Sequence, residues 1–190
     1  MTSTDLFGRD LFDRIVSQRG RWENLLTRIP GLGGMMEGYL NMTARRSADR
    51  IVREYIAGQL RDQVTHLARV ENALLDAGGL ALMGKTRSTK SRLQTLADRI
   101  GAATPGYAGF FDAVKIGENE LAQIYAFDEA MVRYVDQVRE KIDALQRVVA
   151  ENESVENAIA DLDALIAEAD SAFALRENLL TGMGSQSPES

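Results

Sequence analysis

The sequence predicts an all-α protein: an elongated helical bundle closed by a C-terminal antiparallel coiled-coil hairpin. Three observations carry this reading. From Glu118 to Thr181 there are 64 residues with neither Gly nor Pro, the two strong helix breakers. Within that stretch apolar residues recur at alternating spacings of three and four, the spacing of a buried helix seam. Nowhere does apolar character alternate with period 2 for long enough to make a strand.

Taken in order, residues 5–28 form the first expected helix, with Phe7, Leu11, Ile15, Trp22, Leu26 and Ile29 along one stripe and Gly8 and Gly20 weakening it. Residues 36–77 follow, carrying Leu40, Ala48, Ile51, Val52, Tyr55, Ile56, Leu60, Val64, Leu67, Leu74 and Leu75. At 1.5 Å per residue such a helix spans about 60 Å. A shorter helix is expected over 88–100. Next, over 118–151, come Leu121, Ile124, Asp128, Met131, Val135, Val138, Ile142, Leu145 and Val149. A second series, Val155, Ile159, Leu162, Ile166, Ala169, Phe173, Arg176 and Leu180, falls on a helix over 154–180. The two series are out of phase across Asn152-Glu153-Ser154. A turn there, with Ser154 as N-cap, lets the stripes bury each other; local overwinding of one long helix is the alternative. Together these make one helical domain over 1–181, and the polar 182–190 tail is expected to be disordered.

Composition removes several classes of function. The chain has 190 residues, no Cys, one His and three Pro. Without Cys there is no disulfide, thiolate metal site or thiol nucleophile. One His excludes any mechanism that needs two imidazoles. No catalytic set, cofactor site or metal site is expected. No run of about 18 apolar residues offers a membrane span, and the N-terminus lacks the basic and apolar parts of a signal peptide. A cytoplasmic location is expected, with the periphery of the inner membrane as a variant.

The net charge of −6 argues against a general nucleic-acid binder and conceals an asymmetry. Residues 1–110 carry 16 Lys/Arg and 11 Asp/Glu; residues 111–190 carry 6 and 17. Opposite fields on the two halves offer a means of self-association. Two basic clusters stand out as candidate anion or lipid sites. Arg46, Arg50 and Arg53 share one helix face, with Asp49 and Glu54 near enough to pair with Arg53 and Arg50. Lys85, Arg87, Lys90 and Arg92 have no acid between Asp76 and Asp98. A solvated basic loop is the simpler account of the second cluster, and a solvated outer face that of the many carboxylates beyond Glu118.

Gly79-Leu-Ala-Leu-Met-Gly-Lys85-Thr86 fits G-x-x-x-x-G-K-[ST]. A phosphate-binding loop of that pattern needs a strand before it and small residues within it. Here a helical pattern precedes it and its interior is bulky, so an apolar clip between helices explains the residues more simply. His66 has one acid in helical register, Asp62, too little for a metal site. Asp128 and Arg176 occupy otherwise apolar seam positions, where a polar residue fixes register; antiparallel helices would let the two meet. Tyr107, Phe110 and Phe111 lie in a loop too apolar to be simply solvated. Either it packs over the bundle end or it anchors a partner.

The run Leu93-Gln-Thr-Leu-Ala-Asp-Arg-Ile, followed by Gly106-Tyr-Ala-Gly-Phe-Phe-Asp-Ala-Val-Lys-Ile, resembles a set of bacterial all-helical proteins over residues 30–145. The resemblance brings no functional residues with it. The amphipathic start, long helices, basic front and acidic back are also similar in architecture to the phage-shock and ESCRT-type membrane remodellers, without a shared motif. The expectation is therefore a non-enzymatic scaffold or adaptor that self-assembles into a homo-oligomer or binds a protein partner. A peripheral binder of anionic membranes is the first alternative, and a nucleotide-binding protein using residues 79–86 the second.

Overall fold

The structure is a computed structural model and describes residues 3–17, 22–32, 42–103, 118–151 and 154–184. Among them every extended element is helical: α1 (Ser3–Ser17), α2 (Trp22–Arg28), α3 (Met42–Asp76), α4 (Met83–Ala102), α5 (Glu118–Glu151) and α6 (Val155–Gly184), with a 3₁₀ turn at Leu80–Leu82 before α4. The helix expected over 5–28 is thus two, α1 and α2. α4 starts five residues earlier than expected, and α6 runs three residues into the expected tail; the rest of that tail, 185–190, lies outside the described residues, as do Tyr107, Phe110 and Phe111.

The seam series was the strongest signal in the sequence, and its packing follows. From Ile124 to Val149 on α5 and from Val155 to Leu180 on α6, the seam positions are buried, Asp128 and Arg176 included. Helix ends at Glu151 and restarts at Val155. Lys141 on α5 pairs with Asp161 on α6, and Tyr134 donates to Glu168. One heptad back along α5 is one heptad forward along α6, the signature of an antiparallel hairpin. Ser154 sits at the position before α6, its Oγ accepting from the side-chain Nδ2 of Asn157 at 3.0 Å.

The chain divides into two compact units. The first is Met1–Tyr55, Ala103–Met131 and Ser171–Ser190; the second is Ile56–Ala102 and Val132–Asp170. The division follows from helix length, since α3, α5 and α6 have 35, 34 and 30 residues and each supplies residues to both cores.

The first unit packs Leu11 and Ile15 of α1, Leu25 and Ile29 at α2, Val52 of α3, Phe127 of α5 and Phe173 of α6. Phe12 lies against Phe127 with ring centroids 5.6 Å apart. Leu11 and Ile15 of the α1 stripe are therefore spent on the protein's own core.

The second unit is a four-helix bundle whose neighbours are read from cross-helix contacts. α3 meets α4 through Arg61 and Asp98 at 3.2 Å and meets α5 through His66 and Gln146 at 2.9 Å. α6 meets α5 as above and meets α4 through Arg92 and Asp163 at 2.6 Å. The ring order is α3, α4, α6, α5. Helices adjacent in sequence within a pair run antiparallel, whereas α4 and α6 lie side by side and parallel.

Candidate functional site

The second basic cluster is on a helix, where the sequence suggested a loop. α3 stops in a Schellman motif: the Gly79 N–H donates to Leu74 O at 2.9 Å and the Gly78 N–H to Leu75 O at 3.0 Å, satisfying carbonyls that the helix end would leave unpaired. Gly78 supplies the left-handed residue, with φ 81°. A β-carbon on Gly79 would come within 2.3 Å of Leu74 Cδ1. The first glycine of the phosphate-loop pattern is thus there to end a helix. Gly84, Lys85 and Thr86 lie inside α4, and Thr86 is buried with its hydroxyl donating to Leu82 O at 3.0 Å. With helix on both sides and the hydroxyl turned inward, residues 79–86 do not form a loop that wraps phosphate.

Lys85, Arg87, Lys90 and Arg92 each face a carboxylate of another helix. Lys85 pairs with Glu156, Arg87 with Glu71 at 2.9 Å, Lys90 also with Glu71, and Arg92 with Asp163 at 2.6 Å. Arg99 continues the series with Asp170 at 2.6 Å. Lys85, Arg92 and Arg99 are spaced by seven, as are Glu156, Asp163 and Asp170, and each pair is separated by 71 residues. The result is a heptad ladder between two parallel helices of one chain. Its geometry is that of flanking charges in a coiled coil.

Glu71 is the hub on the α3 side, its side chain only 7% exposed. Burial raises its carboxyl, but the hydrogen bonds from Lys90 and Arg87 outweigh that and hold it below the ordinary range. Lys85 likewise holds Glu156 low. A groove of ≈ 390 Å³ runs along the start of the seam, lined by Lys85, Ser88, Thr89, Glu156, Ile159 and Ala160 among others. The cations read as a solvated loop or a candidate anion site, and carboxylates read as a solvated face, answer each other within the chain.

The first unit holds the second charge network. Arg176 donates from Nε to Asp128 at 2.6 Å and from Nη2 to Asp49 at 2.5 Å. Asp49 also accepts from Arg53 Nε at 2.9 Å, and Arg53 reaches the carbonyl of Ala103. All four side chains are buried, with two charges of each sign. Burial pushes the Asp128 carboxyl up against the pull of Arg176. The two carboxylates, against the cost of burial, keep Arg176 charged well beyond any working pH. Burial also raises the Tyr125 hydroxyl nearby.

Asp128 and Arg176 thus meet, as antiparallel register requires. Arg53 is corrected: it is a buried member of this network, so it presents no charge to an external ligand. Arg50 remains exposed, 3.9 Å from Glu54. The side chain of Arg46 lies outside the described residues, as do the three loop aromatics.

Sequence reasoning paired Asp49 with Arg53 but not with Arg176, and missed Glu71 and the α6 carboxylates as partners. The signal for the last was present in the matched spacing of seven. His66 hydrogen-bonds Gln146, with Asp143 at 3.7 Å; among the described residues no group of three potential ligands is placed to hold a metal. No described helix is long and apolar enough to cross a membrane. Comparison with protein-family models, with curated proteins and with solved structures finds no match to this chain.

Proposed function

We propose that the protein is a cytoplasmic, non-enzymatic helical scaffold or adaptor that acts by presenting helix surfaces to a protein partner or to a second copy. The observation that supports this reading is the use made of its charged groups. The described clusters of charge tie helices to one another: the ladder of α4 with α6, the Glu71 hub, and the buried network in which Arg176 of α6 joins Asp128 of α5 to the Asp49–Arg53 pair of α3. Carboxylates and guanidiniums in balanced pairs lend cohesion to a helical frame, and binding then falls to surfaces outside these pairs.

Sedimentation equilibrium from low to high micromolar concentration tests the self-assembly form of the proposal. The expected result is a mass that rises above the 20.9 kDa monomer. A monomer across the whole range removes self-assembly. The membrane-bound alternative has less support, because Leu11 and Ile15 of the amphipathic α1 are buried at 2% exposure each and are withheld from a bilayer.

A further inference from the structure

We propose that the N-terminal half of α4 is a charge-held latch that opens ahead of the rest of the second unit when its ion pairs are screened. The two halves of this helix are attached by different physics. Residues 93–102 bury Leu93, Leu96, Ala97 and Ile100, each at 1% exposure or less. Residues 83–92 bury Met83 and two threonines, Thr86 and Thr89. Thr86 turns its hydroxyl to its own helix, and Thr89 gives its own to Asp163 at 3.2 Å.

What fastens the first half is charge. Lys85, Arg87, Lys90 and Arg92 converge on Glu156, Glu71 and Asp163, and the cations at 85, 87 and 92 are 58%, 67% and 58% exposed. Pairs that open to solvent are weakened by salt, whereas apolar burial is not. The Gly78-Gly79 turn adjoins the 3₁₀ turn that leads into this half and supplies a place to swing. At the level of the ion pairs lie buried Val70 and Leu74 of α3 and Ile159 and Leu162 of α6. An open latch uncovers that apolar strip.

The test is residue-resolved native-state hydrogen exchange on the full chain at about 0.05 M and about 1 M NaCl, a span over which the screening length falls from more than 10 Å to about 3 Å. Amides of 87–96, whose acceptors are the carbonyls of 83–92, are expected to lose protection by about tenfold or more at high salt, while those of 97–102 stay within about twofold. Glu71→Gln keeps the shape of the hub but not its charge, and should reproduce the loss at low salt. Asp98→Asn, which touches only the exposed contacts with Arg61 and Gln94, should not. Protection that falls equally in both halves, or does not respond to salt or to Glu71→Gln, overturns the latch. The last outcome marks ordinary fraying of a helix end.

Discussion

Arg176 spans two carboxylates at once, Asp128 and Asp49, and is 2% exposed. Truncating it leaves Asp128 without its cation and Asp49 with Arg53 alone, both away from water. Removing one partner of such a network is costly because the remaining charge stays buried. Arg176→Met is expected to lower the unfolding free energy by about 3–5 kcal/mol. Asp128→Asn keeps an acceptor for the guanidinium and removes a carboxylate whose burial already works against its charge, so its cost should be nearer about 1–2 kcal/mol. Urea unfolding of both variants at neutral pH gives the comparison; a loss below about 1 kcal/mol for Arg176→Met would mean that the network relaxes around the gap.

At the scale of elements, two ends of one connection make opposite demands. Gly78 ends α3 with φ 81°, a conformation that costs a residue with a β-carbon about 1–2 kcal/mol. Gly78→Ala should therefore destabilise by about 1 kcal/mol with no change in helix content, read by thermal unfolding followed by circular dichroism. A few residues on, α4 is tied back to α3 through Glu71, whose carboxyl lies below its ordinary value of 4.5. A depressed carboxyl adds stability that is present above 4.5 and is lost as pH falls through the folded-state value. The gap in unfolding free energy between the wild type and Glu71→Gln should then be about 1.5–3 kcal/mol at neutral pH and shrink at about pH 3. A gap that does not narrow on acidification would show that Glu71 acts through packing and not through charge.

These elements also show what was legible in the sequence. The stripes on α5 and α6 were, because each seam residue's burial depends only on the helix period. Asp128 and Arg176 stood out for the same reason, as polar residues where the period demands apolar ones. Asp49 and Arg53 stood out only as a local pair on a basic face, since the stripe on α3 is irregular and gives no position against which their burial looks anomalous. The ladder was half visible: cations and carboxylates at intervals of seven are local facts. That α4 and α6 are parallel neighbours is not, because it depends on how the chain crosses from α4 to α5. The phosphate-loop pattern failed for a related reason, as its glycines answered to a helix cap that the pattern does not encode.

For the whole molecule, the pairing of cations of the basic half with carboxylates of the acidic half within one chain bears on how any assembly responds to salt. Had the halves stayed unpaired, copies would attract head to tail, and salt would weaken the association. With Lys85, Arg92 and Arg99 answered by Glu156, Asp163 and Asp170, and Arg87 and Lys90 by Glu71, the field left over is that of the net charge, −6. Two copies then repel at low salt, and any attraction between them rests on apolar and shape contacts, which salt does not screen. Because the screening length is about 10 Å at 0.1 M and about 3 Å at 1 M, self-association should strengthen as salt is raised over that range. Sedimentation equilibrium at those two concentrations reads the sign directly. A mass that falls with salt would mean that opposite charges pair between copies, and that the ladder is open to exchange with a second chain.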